Sequence, residues 1–442
     1  MKKSLLLFIL LLPCLNALSQ NVSGNKEDIV KKGISFGPLP VVAFDQDKGF
    51  QYGALLNLFD FGDGSFYPHP KQQWYMEASF FTKGTQQYFL TYDTKHLIPN
   101  IRMSLATTLV IDKAMDFYGF NGYQSIFHMD DLSPFYRLER NAFSVKADFV
   151  GNLWEKKLFW QAGYYFSKYK YGVIDIDRIN KGKPESEIFS GQTLYEKYID
   201  WGIIPENEKD GGATSALRLG LMYDTRDFEA APSRGIWTEA NLTLAPKFLG
   251  STHSYYRYML TFRHYIPLSE DRLTFAYRLN YQGSIGNYLP FYILPVFSNI
   301  GKEYDRDGIG GYRTVRGMMR GRIQGLDVGF FNAEFRWKFA RFHVVKQNVY
   351  LGLNAFMDGG MVTRNYNISN RSPLYKPLIS DQSVIPYEKY IDTSKSDSFH
   401  TAAGAGLRIV INRNFIIAID YAKPFNKQDG KGSLYINTGF LF

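Results

Sequence analysis

Histidine, the commonest general base and metal ligand, occurs seven times in this chain: His69, His96, His128, His253, His264, His343 and His400. No two form a His-x-x-x-His pair, and no Gly-x-Ser-x-Gly string presents a serine on a nucleophile elbow. His264, beside Arg263 at a strand end, reads as interfacial rather than catalytic. Asp130 and Asp131 are two adjacent loop carboxylates, too few for a Ca²⁺ site. The one cysteine, Cys14, sits in a leader-like segment, so the rest of the chain has no disulfide, thiol nucleophile or thiolate metal site. No catalytic residue, metal or other cofactor is therefore expected. A distant serine and histidine can still meet in a fold, so a lipid-modifying enzyme stands as a third reading.

Other residues promise a structural charge chemistry. The string Gly310-Gly311-Tyr312-Arg313-Thr314-Val315-Arg316-Gly317-Met318 places an arginine among glycines that let a loop turn tightly. Folded into an interior, that guanidinium needs carboxylate partners, because a buried charge is costly unpaired. Asp358, in Phe356-Met357-Asp358-Gly359-Gly360, and Glu334 both occupy inward positions of expected strands. A fork-to-fork pair from Arg316 to either one would pin the loop. The bland alternative is an ordinary solvated arginine. Asp224, Arg226, Asp227 and Gly235 fall in a charged turn, read as structure and not catalysis.

The elements that must position these groups alternate with period two. Leu217, Leu219, Leu221 and Tyr223 oppose Ala216, Arg218, Gly220, Met222 and Asp224. Phe331, Ala333, Phe335, Trp337 and Phe339 oppose Asn332, Glu334, Arg336 and Lys338. One face is apolar and the other charged, which suits a membrane strand between lipid and a polar lumen better than a β-sandwich. Sixteen such segments lie near 33–44, 49–59, 73–83, 85–95, 101–112, 138–152, 156–171, 213–225, 235–246, 253–267, 271–284, 325–339, 348–360, 400–411, 414–422 and 432–442. The long connections 113–137, 172–212, 285–324 and 361–399 all follow odd-numbered segments, so all emerge on one side. Short turns, with 60–72 and 226–234 the longest, fall on the other side together with both termini. The expectation is an all-β, 16-stranded antiparallel transmembrane barrel over 33–442, with periplasmic termini. The final segment puts Leu434, Ile436, Thr438, Phe440 and Phe442 on the lipid face, with Phe440 and Phe442 as a C-terminal insertion signal.

Composition agrees. Aromatic residues make up 17% of the chain, with 32 Tyr and 36 Phe, more than a soluble fold needs and suited to interfacial girdles. Met1-Lys2-Lys3, the apolar run Ser4 to Leu12 and Ala17-Leu18-Ser19 before Gln20 read as a signal peptide over 1–19. Pro13 before Cys14 argues against a lipoprotein anchor. The apolar run is too short for a membrane helix, and no other stretch is long enough. The formal charge of +9 lies in no long basic run, so anionic headgroups and not nucleic acid are the expected partners.

These strings resemble the bacterial surface antigen superfamily of outer-membrane assembly and translocation barrels, which includes BamA, TamA and FhaC. Val315-Arg316-Gly317 is similar to its Val-Arg-Gly-aromatic loop motif, and Phe356 to Gly360 to its strand motif centred on Asp. Tyr223 to Asp227 with Pro232 to Gly235 resembles its turn, and Gly404 to Arg408 and Asp420 to Pro424 its closing strands. The resemblance implies a loop between strands 11 and 12 folded inward, Arg316 bonded to Asp358, and a weak seam between first and last strands. Met318 departs from the usual aromatic. The segment 20–32 leaves no room for periplasmic POTRA domains, so a barrel-only subgroup is expected. The implied role is outer-membrane biogenesis or protein or lipid transport, with a periplasmic partner and dependence on the barrel insertion machinery. The alternative is a passive pore for small solutes.

Overall fold

The computed structural model describes residues 32–45, 48–65, 70–228, 231–270, 272–298, 306–344, 347–368, 387–411 and 415–442. The expected signal peptide 1–19 and all but the last residue of the expected segment 20–32 lie outside the described residues. Sixteen antiparallel strands close into one barrel, each paired with its neighbours in sequence. They are β1 Ile34–Asp45, β2 Gly49–Asp60, β3 Gln72–Phe81, β4 Thr85–Ile98, β5 Ile101–Asp116, β6 Arg137–Trp154, β7 Leu158–Gly172 and β8 Gly211–Asp224. The second half is β9 Gly235–Ala245, β10 Tyr255–Ser269, β11 Leu273–Ser284, β12 Asp327–Val344, β13 Gln347–Arg364, β14 His400–Ile411, β15 Phe415–Pro424 and β16 Ser433–Thr438.

Alternation decides which face each side chain takes. Leu217, Leu219, Leu221, Phe335 and Trp337 stand exposed on the outer wall, whereas Arg218, Arg278, Asn332 and Glu334 are buried inside. Apolar outward side chains lose nothing against lipid, while the inward polar ones find partners in the lumen. The turns on the short side are tight. Between β6 and β7, Glu155 and Lys156 both take positive φ, and the Lys157 amide donates to the Trp154 carbonyl. Two consecutive left-handed residues match the twist of the strands they join.

The described parts of the long connections are ordered against one another. Those at 117–136, 173–210 and 285–298, with parts of 365–399, fold over the opposite mouth as a cap. Its core holds Phe117, Phe120, Tyr136, Tyr195, Tyr198, Trp201, Phe291 and Tyr292, all buried. At about 1.5–3 kcal/mol for each large apolar side chain, this burial makes the cap a folded unit. The short helix α1, Ile176–Asn180, is capped by Asp175, and α2, Leu194–Asp200, carries a Thr193–Glu196 capping box. Asn121 ties the connections together: its amide donates to the Gln324 carbonyl, and its side chain both donates to and accepts from the Tyr366 backbone. Only the 285–324 connection was expected to fold inward. The others join it because their aromatics have no lipid to face above the membrane.

Two boundaries differ from expectation with functional weight. First, β1 pairs with β2 along its whole length, but with β16 only at Phe44–Ile436 and Asp45–Tyr435. Second, β16 stops at Thr438, so Phe440 and Phe442 are not on the lipid face. Gly439, at φ +88°, breaks the extended path and turns the last residues into the lumen. There Phe442 is buried against Tyr265 and Ala276, and the Arg336 guanidinium lies 4.6 Å from the Phe440 ring and 4.8 Å from the Phe442 ring. Arg336 also donates to the Phe442 backbone oxygen at 2.9 Å. In that register Gly439 to Phe442 would face Val41 to Pro38, so the inward turn removes part of the pairing open to β1.

Candidate functional site

The 285–326 connection leaves β11, forms a two-residue ladder of Val296–Phe297 with Arg306–Asp307, and drops into the lumen. Gly310, Gly311, Val315, Arg316, Gly317 and Met318 are all buried there. Thr314 holds the descending turn: its hydroxyl accepts from the Gly310 amide, and its carbonyl accepts from Asn332 on β12. Val315 and Met318 pack with Ile309, Ile323, Val328, Phe330 and Val362. Met318 thus fills an apolar gap that its flexible thioether suits as well as a ring would.

Arg316 ends in a charge knot. Its Nε donates to Asp358 Oδ2 at 2.7 Å and one terminal nitrogen to Oδ1 at 2.9 Å, a planar fork. The Arg316 backbone amide adds a third bond to the same carboxylate at 3.1 Å. The other terminal nitrogen sits 2.7 Å from Glu334 Oε1 and 3.8 Å from Asp420 Oδ2. The Glu334 contact is close but poorly aligned as a hydrogen bond, so it acts through charge and not direction. The guanidinium lies over the Phe356 ring, 3.4 Å from its centre. Around it Arg336 pairs with Glu334 at 2.8 Å, and Arg408 forks onto Asp420 at 2.8 and 2.9 Å. Three carboxylates thus meet three guanidiniums with no net charge. Such a cluster adds little stability over an apolar core, but removing one member leaves buried charge behind. Its effect is to fix one position of the loop.

Three further contacts hold the plug. The Gly317 amide donates to the Tyr435 hydroxyl of β16 at 3.2 Å. Arg320 pairs with Asp112 of β5 at 2.8 Å. Arg322, fully buried, donates to the carbonyls of Gln428, Gly122 and Ser125 in the cap. Sequence reasoning named Arg316, Asp358 and Glu334. It left Arg408 and Asp420 as strand motifs, although their inward parity marked them as partners. It missed Arg320, Arg322 and Tyr435, whose roles depend on loops meeting distant walls.

The charged turn lies at the other end, well away from the knot. Arg226 forks onto Asp224 at 2.9 and 2.8 Å. Asp227 accepts from the amides of Phe228, Ser233 and Arg234 and from the Ser233 hydroxyl. Gly235 opens β9 directly after it. Burial pulls the Asp227 pKa up, but these donors outweigh it and hold the carboxyl below its ordinary value. The stabilisation is therefore present above an unfolded pKa of about 3.9 and is lost as pH falls through the folded value. Asp227→Ala is expected to cost about 1 kcal/mol at neutral pH, small because the turn is solvated. Urea unfolding at neutral pH and at about pH 3 checks it, since the difference from the parent protein must shrink on acidification.

A closed antiparallel barrel with a plugged lumen, a folded cap and a short seam defines the class as an outer-membrane-type β-barrel. The chain belongs to the Omp85 superfamily, whose domain model matches residues 72–442. Among solved structures it is similar to BamA from Haemophilus ducreyi lacking POTRA domains 1–3, at 16% identity and a TM-score of 0.55, covering 96% of this chain and 74% of that one. It is also similar to CdiB from Escherichia coli, at 11% identity and a TM-score of 0.57, covering 94% of this chain and 66% of that one. At these identities the likeness is one of fold. No curated protein matches the chain.

Proposed function

We propose that this chain works in the bacterial outer membrane as a non-enzymatic barrel that handles a protein or lipid client at its lateral seam. The observation that carries this reading is a contrast within one wall. The lumen is filled by the Arg316 knot and roofed by the cap, whereas β1 and β16 share only two paired positions. Ile34 to Ala43 of β1 have no described partner strand on that side. An unpaired backbone edge in hydrocarbon is costly, so it invites another strand or a polar headgroup.

On this reading residues 1–19 export the chain, and a separate periplasmic protein supplies client handling. The passive pore fits less well. Beside the plug, only a small polar cavity remains between Val296 and the wall residues Gln87, Thr108, Arg140, Ser144, Ser167 and Tyr169. The cap lies above it, and among the described residues it roofs the lumen.

A disulfide across the seam tests the proposal. With Phe44→Cys and Ile436→Cys at paired positions, oxidation should abolish complementation of a deletion strain, and reduction should restore it. Full complementation by the verified oxidised barrel would sink the seam reading. Proteins co-purifying with the barrel from detergent extracts would identify the partner.

A further inference from the structure

We propose that His400 is a proton-dependent latch that holds the cap and the plug to the barrel wall. His400 opens β14 at the capped mouth and is fully buried. Its Nδ1 lies 2.6 Å from Asp429 Oδ1, in the β15–β16 connection. Its Nε2 lies 2.9 Å from Asp397 Oδ1, in the β13–β14 connection. The Tyr123 ring, from the β5–β6 connection, stacks on the imidazole at 3.7 Å, and its hydroxyl donates to Asp429 Oδ2 at 2.7 Å. Asp397 also accepts from the Tyr123 amide at 2.9 Å and from the Val362 amide of β13 at 2.7 Å. Arg322 of the plug approaches Asp429 at 3.6 Å. One imidazole therefore joins two strand ends, three cap connections and the plug.

The argument rests on donor count. A neutral imidazole carries one N–H, so one of its two carboxylate contacts would set a lone pair against an anion. Only the imidazolium satisfies both. Protonated, His400 and Arg322 balance Asp397 and Asp429. Deprotonated, the cluster holds one uncompensated buried negative charge. The titratable and charged groups against the ring are Asp397, Asp429, Tyr123 and Arg322. Burial, reinforced by Asp429, keeps the Tyr123 hydroxyl above its ordinary range, so it stays silent where histidine titrates. The latch is closed at acidic pH and fails as pH rises.

Planar-bilayer recordings of the full-length protein, with pH stepped from about 5 to about 9, test this. Parent protein should stay quiet at the acidic end and show a severalfold rise in current at the alkaline end. Asp429→Asn should remain quiet throughout. Its side-chain amide would donate to the bare Nδ1, while its oxygen still accepts from Tyr123. Heat-modifiable gel mobility at neutral pH verifies that the variant is folded. A flat parent profile, or any opening of folded Asp429→Asn at alkaline pH, overturns the proposal.

Discussion

Arg316→Ala is expected to unseat the plug and to cost about 3–5 kcal/mol, the range for removing one partner of a buried ion cluster. The fork onto Asp358, the charge contact with Glu334 and the stacking on Phe356 vanish together. Three carboxylates then face only Arg336 and Arg408, and one buried negative charge is left without a counterion. The barrel wall survives, because its strands pair independently of the plug. The variant should therefore show a lower unfolding temperature in heat-modifiable gel mobility and a larger, noisier current in planar bilayers. Arg316→Lys should recover only part of the loss, since an ammonium is a point charge and cannot fork onto Asp358. Pairing Arg316→Leu with Asp358→Leu should recover stability, because apolar replacement of both partners removes the stranded charge. Parent-like heat stability and quiet recordings from Arg316→Ala would show that the knot does not hold the loop.

Gly317→Val is expected to produce the same open phenotype with every charge of the knot intact. Gly317 sits at φ +85°, where a β-branched residue is a severe outlier. A Cβ at this position would meet the carbonyl carbon of Ala422 at 2.7 Å and its Cβ and oxygen at 2.8 Å. Ala422 is paired on both sides, with Gly404 of β14 and Ser433 of β16, which restrains its retreat. Backbone strain of about 1–3 kcal/mol adds to overpacking of similar size. The relief is for the loop to leave the wall, breaking the Gly317–Tyr435 bond next to the knot. Trypsin added to intact cells reads this directly, since Arg320 and Arg322 are buried while the plug is seated. New cuts at these arginines are the expected result. A trypsin-resistant, electrically quiet Gly317→Val barrel would mean that the wall yields and that steric seating matters little.

These two variants separate charge from shape. Arg316→Ala leaves a loop that still fits, and Gly317→Val leaves charges that still match. If both open the barrel, seating is cooperative. In that case the Arg322 bonds into the cap and the His400 cluster should report the same event from the far side of the plug.

The barrel is legible in the residues alone, because period-two alternation is a local property of each strand. Leu219 and Arg218 must face opposite ways whatever the rest of the chain does. Loop parity then set the strand number and the side on which the long connections lie. Arg316, Asp358 and Glu334 are legible as candidates because a guanidinium among glycines, once buried, demands carboxylates and inward parity limits the choice, but that the loop folds inward is what the family resemblance implies. Contacts between elements far apart in the chain are settled only in three dimensions. Arg322 reaching Gly122, Tyr123 stacking on His400 and the cap aromatics packing together depend on loop paths that no local pattern encodes. The C-terminal end shows the boundary between the two. Alternation through Leu434 and Ile436 points on to Phe440 and Phe442 on the lipid face. The left-handed Gly439 breaks that pattern, and the lumen offers the two rings a bed of Tyr265, Ala276 and Arg336. That inward turn withdraws residues that would extend the seam, so the feature on which the proposed function rests depends on three-dimensional packing and not on strand periodicity alone.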